Sequence, residues 1–301
     1  SSAASDVYKR QVLGALQPQG GTLRLLVRRP EGALPTAWAL TDITSVELQP
    51  WDRSEVERAI AQMCGAPMPP SFVDMTFARC AGNPFFLEEL MSLLVDDGAL
   101  RVVDGVWSLV GKVEDLELPN TVTAVILSRI DRLEGRARQL LQEASVLGQV
   151  FGHGVLRAID KRLGGDERQL SDCLELLSGL GYLASDVEEG ELAFRHALTR
   201  EVAYSTLLNR NKRLLHRLAA EALEEVAEPG SEGSAAIASH YDAAEIWGSA
   251  YIWRARAGRE ALGLSDFGQA RQHLERATAV AARLEVPPSD LADVWCALAQ
   301  V

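Results

Sequence analysis

Cysteine is scarce in this chain. Its 301 residues include four, Cys64, Cys80, Cys173 and Cys296. None falls in a C-x-x-C spacing and none clusters with histidine, which argues against metal ligation and fits buried thiols in a reducing cytoplasm. No run of about 18 apolar residues exists, so no membrane-spanning helix is expected. No secretory signal is visible. Positive charge is in deficit: 30 Lys and Arg against 42 Asp and Glu leave a formal net charge of -12, which argues against broad binding of nucleic acid.

A phosphate loop of the form G-x-x-x-x-G-K-[ST] is also missing. The segment Gly105-Val-Trp-Ser-Leu-Val-Gly111-Lys112-Val113 imitates one. Five residues separate its glycines where the motif needs four, and Val113 stands where a hydroxyl would hold magnesium. It also sits in a hairpin pattern, not between a strand and a helix. No strand ending in paired acids precedes Leu23 to supply a magnesium-binding carboxylate. The chain therefore lacks the parts that perform phosphoryl transfer, and on its own it is expected not to hydrolyse ATP.

What is present is an ordinary hydrophobic content of 47% and a length that suggests roughly two or three compact units. The ends look unusual. Residues 1–11, Ser-Ser-Ala-Ala-Ser-Asp-Val-Tyr-Lys-Arg-Gln, match a translation of a transposase adapter used in preparing sequencing libraries, and are set aside from fold reasoning. Natural sequence is expected to begin near Val12. At the other end Ala297-Leu298-Ala299-Gln300-Val301 stops inside an amphipathic pattern, so the chain reads as an internal fragment.

Residues 12–50 carry two strand patterns, Thr22–Arg28 and Ser45–Leu48, too few for an independent sheet. They read as the tail of an α/β domain. Residues 51–118 predict a helical lid, with helices at 54–64, 71–80 and 84–97, then a hairpin of 100–103 and 106–109 around Asp104-Gly105, a pair suited to a tight primed turn. The helix at 84 carries the clearest local signals. Asn83 suits an N-cap and Pro84 suits N1. Phe86, Leu87, Leu90, Leu93 and Leu94 make one apolar stripe, and Gly98 suits the C′ position.

Residues 119–196 have the order of a winged helix: helices opening at Pro119/Thr121, around Leu140–Leu147, at 153–161 and along Leu170–Leu180, then a wing of 182–185 and 191–195. The long helix before the wing carries Asp166, Glu167, Asp172 and Glu175 against Arg168, and such a surface repels phosphates. Residues 197–233 predict one long helix over 197–227 with a basic run, Arg200, Arg210, Lys212, Arg213 and Arg217, followed by a linker at Pro229–Gly233. A solvated helix face accounts for the run.

Residues 234–301 predict helical repeats. Phe267, Ala270, Leu274 and Ala277 match the second helix of a tetratricopeptide repeat, with 247–263 as its partner in a unit of about 34 residues. Phe267 and Leu274 are expected in the seam, and Pro287-Pro288 opens a further unit. The fold class is mainly α.

Strand, Arg-Pro-Glu, helices, Gly82-Asn-Pro84-Phe-Phe, winged helix, Phe194-Arg-His196-Ala-Leu-Thr-Arg200 and helical repeats follow one another over residues 22–301. That order resembles the STAND ATPases, signalling relatives of the AAA+ proteins, and looks closest to the bacterial type found with nucleotide cyclase, protein kinase or LuxR-type effector domains. The resemblance implies that an intact parent switches between ADP-closed and ATP-open forms with Mg. It implies a cytoplasmic protein whose repeats bind a protein or small-molecule signal and regulate an absent effector. Arg29 falls at the family's sensor arginine near the γ-phosphate, with Arg28 the other candidate, and a guanidinium offers phosphate a fixed fork of donors. Pro84 falls on the proline that lies against adenine, and Gly82 gives room for close approach. His196 falls on the histidine that contacts the β-phosphate of ADP, although Ala197 replaces the acid that usually follows it. From the residues alone, the segment at Pro84 also reads as a capped core helix, and His196 as a structural hydrogen-bonder. Two other classes stay open for the whole: a segment of a LuxR-family transcriptional regulator, and an interaction scaffold without an active nucleotide site.

Overall fold

The computed structural model describes residues 46–300 except 104, 105, 112, 114, 115, 117, 185–189, 227–232, 285 and 286. The chain is mainly helical, with thirteen helices and five short strands among the described residues. None of these helices is long and apolar enough to cross a membrane. Residues 1–45, with the strand expected at Thr22–Arg28, lie outside the described residues. The strand expected at 45–48 is not borne out where it is described. Residues 46–50 belong to no strand, and Val46 and Leu48 are exposed. A strand needs a neighbour to satisfy its backbone, and none pairs with this segment among the described residues.

The first unit is built by caps. Helix α1 (Arg53–Cys64) opens with a capping box in which Asp52 accepts from the Glu55 N–H and the Glu55 carboxylate accepts from the Asp52 N–H, each at 2.9 Å. Helix α2 (Pro70–Cys80) is followed by two left-handed residues, Ala81 and Gly82. They swing the chain into α3 (Pro84–Asp96), where the Asn83 side chain accepts from the N–H groups of Phe85 and Phe86. The stripe of Phe86, Leu87, Leu90, Leu93 and Leu94 is buried against Val56, Ile60, Phe72 and Val73. Gly98, at φ +67°, turns the chain into the hairpin β1 (Leu100–Val103) and β2 (Val106–Leu109).

The second unit comprises α4 (Val122–Arg132), α5 (Gly135–Leu147), β3 (Val150–Gly152), α6 (His153–Arg162), α7 (Glu167–Gly179), β4 (Leu183–Ala184) and β5 (Glu191–Phe194). The strands form an antiparallel sheet in the order β3-β5-β4, with Phe151 opposite Leu192 and Leu183 opposite Phe194. Strand β3 was not expected. Ile126, Ile130, Leu140, Leu141, Leu177 and Phe194 fill this core.

The single helix expected over 197–227 is two helices, α8 (Ala197–Ser205) and α9 (Asn209–Val226). At the break the Ser205 and Thr206 hydroxyls donate to the carbonyls of Val202 and Ala203. Such local bonds offer the backbone an alternative to continued helix.

Four helices follow: α10 (Ser234–Ala243), α11 (Trp247–Gly263), α12 (Phe267–Arg283) and α13 (Pro288–Leu298). Helix α11 covers the expected 247–263, and α13 starts at the Pro287-Pro288 signal. Ala270, Leu274 and Ala277 are buried, but Phe267 is 53% exposed. Its place in the seam is thus corrected: it is the first residue of its helix, at the turn, where solvent reaches it. The reading of four buried thiols is also corrected. Cys64 and Cys80 are buried, Cys173 is half-buried and Cys296 is exposed.

Candidate functional site

The chain leaves β5 through Arg195 and enters α8 with His196 in the N-cap position, in extended backbone and with no side-chain cap bond. The imidazole is thus not engaged in capping its own helix. The ring of Phe85, the second residue of α3, lies on it with centroids 4.3 Å apart and planes tilted by 44°. One turn along α3, Glu88 lies 3.7 Å from His196 Nε2 and 3.8 Å from the Arg195 guanidinium. Both approaches are longer than hydrogen bonds. His196 Nε2 is buried and has no hydrogen-bond partner among the described residues. An orphaned buried polar atom asks for a partner, and a ligand or ion is one class of answer.

Two segments far apart in sequence therefore meet: the start of α3, with Pro84 exposed at its tip, and the β5–α8 junction. Phe85, the residue after Pro84, is in contact with His196. Gly82 sits beside them with a different role from the expected one. A Cβ there would lie 2.0 Å from the Trp51 carbonyl oxygen, and the Trp51 N–H donates to the Gly82 carbonyl at 2.8 Å. The room that this glycine provides is filled by the chain's own backbone. Arg29 lies outside the described residues. Phe85 and Glu88 are the members that sequence reasoning missed, although both lie within or just after the quoted Gly82–Phe86 segment.

A second feature ties α3 to the second unit. Arg129, on α4 and only 4% exposed, spends its guanidinium on three acceptors. Nη1 donates to Glu89 at 2.7 Å, Nε to Asp96 at 2.8 Å and Nη2 to the Leu180 carbonyl at 3.0 Å. The guanidinium also stands 5.0 Å from the centre of the Tyr182 ring. Burial works against its charge, and Asp96, Tyr182 and Glu89 together outweigh burial and hold its pKa above the ordinary value. Glu89 and Asp96 belong to α3, so the helix that presents Pro84, Phe85 and Glu88 is tied by charge to the unit that presents His196. Among the described residues no group of three or more His, Cys, Asp or Glu is arranged to hold a metal ion.

No family model matches the chain. An uncharacterized protein of Rhizobium meliloti (strain 1021) is 27% identical over 271 residues, covering 84% of this chain and 24% of that protein. The chain thus spans about a quarter of that relative's length.

Proposed function

We propose that this chain is the distal part of a STAND-class signalling ATPase, in which the α3 tip and the β5–α8 junction close around ADP. The observation that carries this reading is the contact of Phe85, the neighbour of the exposed Pro84, with His196, whose buried Nε2 has no hydrogen-bond partner among the described residues. A histidine N–H suits a phosphate oxygen, and a proline face suits a flat base. The residues present thus fit the diphosphate and base ends of a nucleotide. Phosphoryl transfer and Mg would be served by a phosphate loop outside these residues. Arg29 would sense the γ-phosphate in the ATP form.

In this reading α1–α3 with the hairpin is the lid. The three-stranded sheet with α4–α7 is a winged helix, and α10–α13 are tetratricopeptide-like repeats. The antiparallel order β3-β5-β4 supports the winged helix, and the paired α11 and α12 with their alanine interior support the repeats. The repeats bind a protein or small-molecule signal in the cytoplasm and regulate an effector, a nucleotide cyclase or kinase.

The second reading, an interaction scaffold with no active nucleotide site, is favoured by Glu88, whose carboxylate faces His196 where it would repel a phosphate. ADP affinity of the full-length parent protein separates the two. A hydrogen bond to a charged group is worth about 1.5–3 kcal/mol, so His196→Ala should weaken ADP by about tenfold to a hundredfold at 1.4 kcal/mol per tenfold. It should also raise basal signalling with folding intact, whereas Arg29→Ala should impair the ATP form. Equal ADP affinity in wild type and His196→Ala reduces His196 to a structural residue and leaves the scaffold standing.

A further inference from the structure

A cleft of about 340 Å³ opens between the first and second units, on the side of α3 that carries Glu88 and away from its Pro84 tip. Its volume lies at the small end of the range that ligand sites occupy, about 300–1,000 Å³. The walls are apolar and adaptable: Met91, Leu100, Trp107 and Leu180 face it. At its rim Met63 and Val95, large apolar side chains, are 44% and 39% exposed. Thioether side chains re-pack readily around a guest.

The polar groups decide what the guest is. Arg129 reaches the cleft, but its donors are engaged by Glu89, Asp96 and the Leu180 carbonyl, so it offers little to an anion. Asp96 and Glu88 also line it. Asp96 accepts from Arg129, whereas among the described residues Glu88 makes two long approaches, to Arg195 and His196. The uncommitted charge is therefore negative, and it shares the cleft with an indole ring, whose face attracts cations.

We infer that this cleft binds a small organic cation with a flat apolar body, an arylalkylamine, whose ammonium meets Glu88 while its ring lies among Trp107, Met91 and Leu180. Nothing in this depends on nucleotide. Because Glu88 also faces His196, a guest that draws on its carboxylate is felt at the β5–α8 junction.

Tryptamine is the probe and indole-3-acetate its anionic counterpart, titrated against the full 301-residue chain by NMR. The indole N–H of Trp107, assigned with Trp107→Phe, and the His196 ring proton are followed. Tryptamine should shift both saturably with one midpoint, and indole-3-acetate should bind at least about fivefold more weakly, the scale of a single exposed charge pair. Glu88→Gln should weaken tryptamine by a similar factor. Ser92→Arg places a guanidinium in the cleft one turn from both Glu88 and Asp96 and should abolish the shifts, while the remaining spectrum stays that of the folded chain. Equal binding of the two probes, no saturable shift at Trp107, or tryptamine binding unchanged in both variants would overturn the site. Saturation at Trp107 with a silent His196 would overturn its connection to the junction.

Discussion

On the two sides of the α3–α4 contact the interior is filled by large side chains, Leu87 and Leu90 in one core and Ile126 and Ile130 in the next, and the contact is threaded by one buried arginine with two carboxylates. Between α11 and α12 it is lined by Ala255, Ala270 and Ala277, with Leu274 set against Gly258. The polar groups sealed inside differ in the same sense. The first region buries charge, in Arg129 and Glu89, while the helices from α9 onward bury imidazoles, His216, His240 and His273, beside one largely buried pair, Arg254 with Asp242. Large side chains keep helices apart and leave room that a guanidinium can bridge. Small ones bring backbones together, and the charge among them is gathered in one Arg254–Asp242 pair that also meets the His273 ring. One region is tied by a buried charge network between large side chains, and the other by close shape with Asp242 bridging Arg254 and Arg276 across three helices.

The largest effect should come from breaking the charged side of that comparison. Arg129→Ala leaves Glu89 and Asp96 without their shared counter-ion, and breaking a buried pair by removing one partner costs about 3–5 kcal/mol. Urea unfolding should report that loss, and the Phe85–His196 contact should loosen with it. A loss below about 1 kcal/mol, the range of an exposed pair, would show that the network does not hold the two units together.

Acid should be the next largest perturbation, and it should act on the other region. His216 Nδ1 and His240 Nδ1 are 2.9 Å apart, and the Tyr204 hydroxyl is 3.1 Å from His216 Nε2. Burial, with the neighbouring His240 and Lys212, holds His216 down to about 4, and burial holds His240 down to about 4, from an ordinary 6.5. The unfolded chain then binds more protons between about pH 4 and 6.5. Stability is full above pH 6.5 and falls as the pH drops towards 4. A shift of this size in one group corresponds to on the order of 3 kcal/mol. The unfolding midpoint of the wild type should fall between pH 7 and pH 5, and His216→Leu/His240→Leu should flatten that fall. An equally steep fall in the double variant would move the cause to other groups.

How much of this was legible follows from how local each feature is. Asn83, Pro84 and Gly98 announce the ends of α3 because a cap is settled within four residues. Ala270, Leu274 and Ala277 announce the α11–α12 seam because spacing alone puts them on one face. Strand β3 did not show, since three residues carry no periodicity and the strand exists only by pairing with Glu191–Ala193. Arg129 did not show either. In the chain it is a basic residue in the last turn of a helix, and its burial is decided by Glu89 and Asp96, 40 and 33 positions away. At the site, Pro84 and His196 were found by resemblance. Phe85 and Glu88 were missed because nothing near them in sequence says that α3 will lie beside the β5–α8 junction.

The close-packed side can be broken by the smallest possible addition. A helical glycine replaced by alanine ordinarily gains about 0.5–1 kcal/mol. At Gly258 the added Cβ would lie 2.6 Å from Leu274 Cγ and 2.7 Å from its Cδ2. Overpacking a filled interior costs about 1–3 kcal/mol, so Gly258→Ala should destabilise where Gly263→Ala, with open space around it, should not. Thermal unfolding of the two variants side by side decides it. Stabilisation by Gly258→Ala would mean that the seam has slack.

Phe267 offers the smallest effect and the sharpest test of where that seam ends. The 267, 270, 274, 277 spacing treats it as the equal of Leu274, yet Leu274 is fully buried and Phe267 is 53% exposed. Helix α12 begins at Phe267 itself, capped by Asp266 accepting from the Gln269 N–H. A first-turn residue at the end of a hairpin has a turn on one side instead of a partner helix. Leu274→Ala empties filled space and should cost about 2–5 kcal/mol. Phe267→Ser removes a larger side chain from a wetter place and should stay within about 0.5 kcal/mol, the range of surface substitutions. Urea midpoints of the two variants make the comparison directly. Comparable losses would extend the seam to the turn and restore the residue to the role that its spacing suggests, whereas a large difference confines the close-packed interior to Ala270 and beyond.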